Sequence, residues 1–278
     1  MRIDAHQHFW NPDQLPYPWM PPEPSPLRRV FLPHDLQPIL ERNRFDGSIV
    51  VQATTVREEA SWLLDLADQS PLTLGVVAWV DLTDPHLGQE LDGLQRRPKF
   101  KGVRHPVHDE ADDRWLLRPE VVQGLKELER RDLPYDLLLR PQHLPTAIEL
   151  LDHVPSLRMV VDHIAKPFIK AQKTKGWAGH IEQLSQSQQV YMKLSGMITE
   201  ANWETWTSDQ LRPYVQHVWS LFGPKRCMFG SDWPVCLLAG SWKEALAAFT
   251  QALGPTPENE RNQVMGETAA RVYAIDRT

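Results

Sequence analysis

Cysteine is almost missing from this chain, which has two in 278 residues, Cys227 and Cys236. That count excludes a disulfide scaffold and a Cys-rich zinc site; the pair forms no CxxC motif, and both read as structural. Basic charge is also short: 30 Lys and Arg against 36 Asp and Glu leave a formal net charge of −6. No nucleic-acid partner is expected from that balance, because phosphate-backbone binding needs a concentrated basic surface. No apolar run approaches the roughly 20 residues that span a bilayer, so no membrane partner is expected. The opening Met1-Arg2-Ile3-Asp4 lacks the basic and apolar regions of a signal peptide, and a cytoplasmic setting is the expectation. With 41% hydrophobic and 24% charged positions, the chain has the composition of a globular protein with a sizeable core.

What is present is a rhythm. Eight short apolar or β-branched runs, Ile3 to Phe9, Gly47 to Ala53, Thr73 to Val80, Phe100 to Val107, Tyr135 to Arg140, Arg158 to His163, Val190 to Ser195 and Cys227 to Asp232, read as strands. Between them, segments such as Arg57 to Gln69, Pro119 to Arg131, Leu144 to His153 and Gly176 to Ser187 carry apolar residues at three- and four-residue spacing, as amphipathic helices do. Eight alternations without a composition break predict an α/β protein, a single (β/α)₈ TIM barrel over 1–278, in preference to a doubly wound sheet. Pro257 to Tyr273 reads as a closing helix. Residues 10–33 hold eight prolines, which exclude a helix and predict a long loop. Trp10, Tyr17, Trp19 and Met20 suit that loop either to a cap over the barrel or to a surface wrap packed by its own aromatics.

His6 and His8 lie two apart in the first run, so an extended strand points both to one face. They fall near its C-terminal end, where barrel active sites are built. His163 closes the sixth run and Asp232 the eighth, bringing four candidate ligands to one mouth. Three imidazoles and a carboxylate suit one divalent metal, Zn²⁺ first. Without metal, Asp232 can take a proton from water while the imidazoles and Arg104 polarise a carbonyl. Arg104, His105, His108 and Lys166, at strand ends or in following loops, are candidate contacts to substrate hydroxyls or a developing carboxylate. Trp10, Trp79 and Trp233 are candidate flat walls for a sugar ring, although with 11 tryptophans core packing competes for each.

Ile3-Asp4-Ala5-His6-Gln7-His8-Phe9-Trp10, Val161-Asp162-His163-Ile164-Ala165-Lys166-Pro167 and Gly230-Ser231-Asp232-Trp233-Pro234 resemble the amidohydrolase superfamily, in its metal-dependent-hydrolase type of barrel. Lys101-Gly102-Val103-Arg104-His105, Lys193-Leu194-Ser195-Gly196 and Gly266-Glu267-Thr268-Ala269-Ala270 extend the resemblance along nearly the whole chain, toward the branch of L-fuconolactonases and L-rhamnonolactonases. The resemblance implies a hydrolase that opens sugar-acid lactones, with His6, His8, His163 and Asp232 at its centre. The chain departs from the superfamily's two-metal pattern, in which a lysine ending the fourth strand bridges both ions. Here Arg104 and His105 end that run, and Lys101 lies three residues back, roughly 10 Å along an extended strand. The fifth run ends without histidine, in Leu138-Leu139-Arg140. One metal, or none, is therefore expected.

Two other readings compete: a metal-dependent decarboxylase of an unsaturated acid, clamped by Arg104, Arg140 and Lys166, and a catalytically silent binding barrel. The partner expected is a small sugar lactone, and the chain is expected to be a monomer or homodimer.

Overall fold

The computed structural model describes residues 1–276. Eight strands form one sheet in sequence order: β1 (Ile3–Gln7), β2 (Gly47–Val51), β3 (Thr73–Ala78), β4 (Phe100–His105), β5 (Tyr135–Leu137), β6 (Met159–Val161), β7 (Val190–Leu194) and β8 (Cys227–Phe229). Every neighbouring pair is parallel. The barrel closes where the segment after β8 meets β1: Asp232 N donates to His6 O at 2.8 Å, and His8 N to Trp233 O at 2.7 Å. Helices α1 (Pro33–Arg42), α2 (Arg57–Gln69), α3 (Leu87–Leu94), α4 (Pro119–Arg130), α5 (Leu144–Leu150), α6 (Trp177–Ser185), α7 (Ser208–Phe222) and α8 (Trp242–Leu253) alternate with the strands. They turn apolar stripes inward, for example Val121, Val122, Leu125 and Leu128 of α4. Strands covered in this way are buried on both faces, which explains their nearly unbroken apolar runs. No helix among the described residues is long and apolar enough to cross a membrane.

One expectation needs correction. Pro257 to Tyr273 is not one helix: α9 (Glu258–Asn262) and α10 (Thr268–Val272) are separated by a π turn over Gln263–Glu267. Such a turn inserts a residue without altering composition, so apolar spacing reads straight through it. Within β1, the pairing with β2 shifts register between Asp4 and Gln7. Asp4 consequently reaches outward to accept the Trp242 indole N–H of α8 at 2.8 Å, while His6, two residues on, faces the interior.

The proline-rich segment is a loop, as its sequence predicts, and it is both wrap and cover. Trp10 and Phe31 exchange backbone hydrogen bonds at its neck, and the buried Trp10 indole donates to Leu27 O and Arg29 O at 3.0 Å. The Trp19 indole donates to Ala53 O, just past β2, at 2.6 Å, and Phe31 lies edge-on to Trp233 at 5.2 Å. The loop is thereby pinned beside the C-terminal ends of β1, β2 and β8.

Candidate active site

The four predicted residues meet at the C-terminal mouth. Asp232 Oδ1 lies 3.3 Å from His8 Nε2, 3.7 Å from His6 Nε2 and 4.0 Å from His163 Nε2, and the His6 and His8 Nε2 atoms are 3.2 Å apart. All four side chains are nearly inaccessible to solvent. His163 and Asp232 sit on left-handed backbone. His163, Ile164, Ala165 and Lys166 all have φ between 47° and 60°, a left-handed turn directly after β6, and Asp232 has φ 58°. This conformation is costly for residues with a Cβ and is held here by the Lys166 N–H donating to His163 O at 2.8 Å and the Trp177 indole to Ile164 O at 2.7 Å. Two glycines give the imidazoles room: a Cβ on Gly196 would stand 2.4 Å from His163 Nδ1, and one on Gly230 would stand 2.5 Å from His6 Cβ.

Second partners orient the rings. His8 Nδ1 lies 2.8 Å from Val51 O, which can only accept, so Nδ1 donates there and Nε2 is turned to the mouth. His163 Nδ1 is 2.9 Å from Ser195 Oγ. Burial pushes His6 and His163 well below the ordinary imidazole range, so both are neutral at pH 7. Burial would raise Asp232, but the nearby His163 and the hydrogen bond to His8 hold it below the usual carboxylate range, so it is ionised.

Three ligand atoms, His6 Nε2, His8 Nε2 and Asp232 Oδ1, lie 3.2–3.7 Å from one another. A four-coordinate ion with bonds of about 2.0–2.2 Å keeps its ligands about 3.3 Å apart. The donor set and spacing are those of a divalent metal site, with His163 alongside.

The other predicted residues are more dispersed. Arg104 is buried beside His6: it bonds Gln52 through Nε at 3.2 Å and Asp162 through a terminal nitrogen at 3.0 Å, and the same nitrogen lies 3.4 Å from His6 Nε2. His105 has both ring nitrogens in use, one receiving the Trp79 indole at 3.0 Å and the other 2.7 Å from Glu110, and it stacks on Trp115. His108 pairs with Asp109 at 3.3 Å, and its Nδ1 is buried with no hydrogen-bond partner among the described residues. Lys166 pairs with Glu200 at 2.6 Å and is close enough to act on the charges of Asp232 and His163. Trp10 and Trp233 are buried as backing: Trp10 lies behind His8 with ring centres 6.3 Å apart, and Trp233 lies between Phe9 and Phe31. Lys101 points to the opposite end of the barrel, bonding Ala274 O at 2.9 Å.

Sequence reasoning missed a buried layer beneath the mouth. Lys193 bonds Asp136, lies 3.1 Å from Asp162 and reaches His6 Nδ1 at 3.2 Å; the Tyr273 hydroxyl donates to both Asp136 oxygens at 2.8 and 2.9 Å. The signal was available: a lysine or aspartate inside an apolar strand demands an opposite charge on a neighbouring strand.

Comparison with known proteins agrees with this geometry. The amidohydrolase family profile matches residues 3–275. The chain is 37% identical to an L-fucono-1,5-lactonase of Burkholderia ambifaria, covering 99% of this chain and 96% of that one. It is 35% identical to the L-fucono-1,5-lactonase of Burkholderia multivorans, with 99% and 96% covered. A crystal structure of an amidohydrolase from Burkholderia multivorans with bound zinc superposes with a TM-score of 0.92 at 34% identity, over 99% of this chain and 100% of that one. On its sequence and on its barrel, the chain belongs to the amidohydrolase family.

Proposed function

We propose that the protein is a hydrolase that opens a sugar-acid lactone, L-fuconolactone or a related aldonolactone, by adding water to the lactone carbonyl. The observation that carries the reading is one ionised, buried carboxylate, Asp232, facing three imidazoles within 3.3–4.0 Å at the barrel mouth. The lactonases similar to this chain over almost its full length supply the substrate class.

In this reading Asp232 takes a proton from the attacking water as oxygen bonds to the carbonyl carbon. His163, fixed by Ser195, and His6 lie beside Asp232 where charge develops on the carbonyl oxygen. As the ring C–O bond breaks, Asp232 returns the proton to the departing oxygen, leaving a hydroxy acid. A lactone is a neutral ester whose alkoxide leaves more readily than an amine, so this modest machinery suffices. A divalent ion held by His6, His8 and Asp232, Zn²⁺ by donor type, would add Lewis acidity toward the carbonyl. Lys166 and His108 are assigned to substrate hydroxyls at the rim. Arg104 stands beside His6 with its guanidinium engaged by Gln52 and Asp162, which weakens one arm of the carboxylate clamp that a decarboxylase would need.

A pH-indicator screen over sugar lactones tests the reading, with protein as isolated, after chelation and after Zn²⁺ is restored. Acid release is expected. Loss on chelation with recovery on Zn²⁺ makes the ion essential, persistence assigns turnover to Asp232 and the imidazoles alone, and silence on every lactone overturns the proposal.

A further inference from the structure

Lys166, at the end of the left-handed turn after β6, does not stand alone at the rim. Its Nζ lies 2.6 Å from Oε1 of Glu200, which belongs to the segment after β7. The two side chains make no other hydrogen bond or ion pair among the described residues. An ammonium has three N–H groups and a carboxylate two oxygens, so two donors on Lys166 and Oε2 of Glu200 stay open. The side chains are only 19% and 22% exposed, which largely withholds those open groups from bulk water.

The pair is not needed to hold the two loops together. Lys170 N donates to Glu200 O at 3.0 Å, the Thr199 hydroxyl to Gly196 O at 2.8 Å and the Trp203 indole to Thr199 O at 2.8 Å. These bonds fix the backbone around Glu200, as the bond from Lys166 N to His163 O fixes it at Lys166. A partly exposed ion pair adds little stability of its own. Its place is what sets it apart: Lys166 is close enough for its charge to act on Asp232, His163 and His108. The His108 Nδ1 is itself buried without a partner among the described residues. Open donors, an open acceptor and an unsatisfied imidazole nitrogen thus gather on one side of the mouth.

We propose that Glu200, held against Lys166, is a specificity-determining residue that selects neutral lactones bearing adjacent hydroxyls. One hydroxyl accepts from Lys166 while its neighbour donates to Glu200; a ring without them leaves both charged groups short of partners as it excludes water. The pair carries no net charge, which matches a neutral ring and not one with a carboxylate of its own. This assignment rests on the lactonase reading and narrows its substrate, and it brings in a residue that no strand end marks.

Steady-state kinetics on the full chain test it. The substrates are the aldonolactone that responds in the screen above and the bare ring of the same size, δ-valerolactone for a 1,5-lactone or γ-butyrolactone for a 1,4-lactone. Glu200→Gln keeps the size and loses the charge. KM for the aldonolactone should rise roughly 10- to 100-fold with kcat within a few-fold, and kcat/KM for the bare ring should match that of the parent. Glu200→Asp, which keeps the charge, should recover part of the loss, and it carries the comparison if the glutamine variant does not fold. An unchanged KM, an equal fall on both rings or a loss confined to kcat overturns the assignment, the last two being what a structural cross-link gives. A parent that opens the bare ring as readily as the aldonolactone also overturns it and leaves the lactonase reading intact. Where the parent does not open the bare ring at all, KM and kcat on the aldonolactone decide. Silence on every lactone overturns the reading and this assignment with it.

Discussion

Asp232 is the residue on which the chemistry turns. Asp232→Asn keeps the shape and a hydrogen-bonding oxygen but cannot take a proton, so kcat on a responsive lactone should fall by about 10²–10⁴ with KM changed only a few-fold. Near-normal kcat would remove Asp232 from the role of base. Arg104 gives a second test at this scale, because its guanidinium is engaged by Gln52 and Asp162 beside His6. Arg104→Lys keeps the charge and loses the fork that grips Gln52 and Asp162, so it should destabilise the fold by roughly 1–3 kcal/mol in denaturant titrations. A variant of unchanged stability with KM raised tenfold would return Arg104 to substrate binding. The visible half of the site was legible because His6, His8, His163 and Asp232 stand at strand ends, where a polar residue breaks an apolar run. Lys193, Asp136 and Asp162 were harder to read because each makes sense only through the others, across strands far apart in sequence.

At the scale of elements, the eight strands and the helices between them were readable from periodicity, which reports a face buried by its neighbours. The π turn before α10 and the register shift in β1 were not, since each changes backbone geometry without changing the kind of residue used. The left-handed turn after β6 was equally hidden: Ile164 and Ala165 have no preference for that conformation and are held there by burial and by Trp177. Gly196, two residues past the end of β7, faces this turn with φ 62° and leaves no room for a side chain beside His163. Gly196→Ala should therefore lower kcat at least tenfold by displacing His163 and should cost about 1–3 kcal/mol of stability. If thermal denaturation and turnover both match the parent, the close approach is not what positions His163.

Across the whole molecule, the wrapping loop, β2 and the mouth are tied together through one buried carboxyl. Glu59 of α2 accepts the backbone N–H groups of Ala53 and Thr54, immediately past the strand whose Val51 carbonyl orients His8, and Ala53 O in turn receives Trp19 from the loop. Burial pushes the Glu59 carboxyl up to about 8, against the opposing pull of those hydrogen bonds and of Arg104. The folded chain therefore keeps a proton that the unfolded chain sheds above about pH 4.3, so folding is favoured below that range and loses stability as pH rises toward 8. Other groups act at lower pH. Asp4 and Asp136, both raised by burial to about 6, add to the decline mainly below that value. The buried His6 and His163, held neutral, oppose it up to about pH 6.5, where unfolded histidines lose their protons. Between pH 7 and pH 8 Glu59 is left as the main linked group, and the unfolding free energy from urea titrations should fall by about 1 kcal/mol, with the buried Cys227 and Cys236 thiols, which burial pushes up, carrying the decline on above that window. Glu59→Gln, which has no proton to lose, should be less stable throughout and flat across that window. A parent profile that is itself flat there would mean that Glu59 is ionised in the fold at neutral pH, and that the tie between the loop and the mouth is a carboxylate instead of a neutral acid.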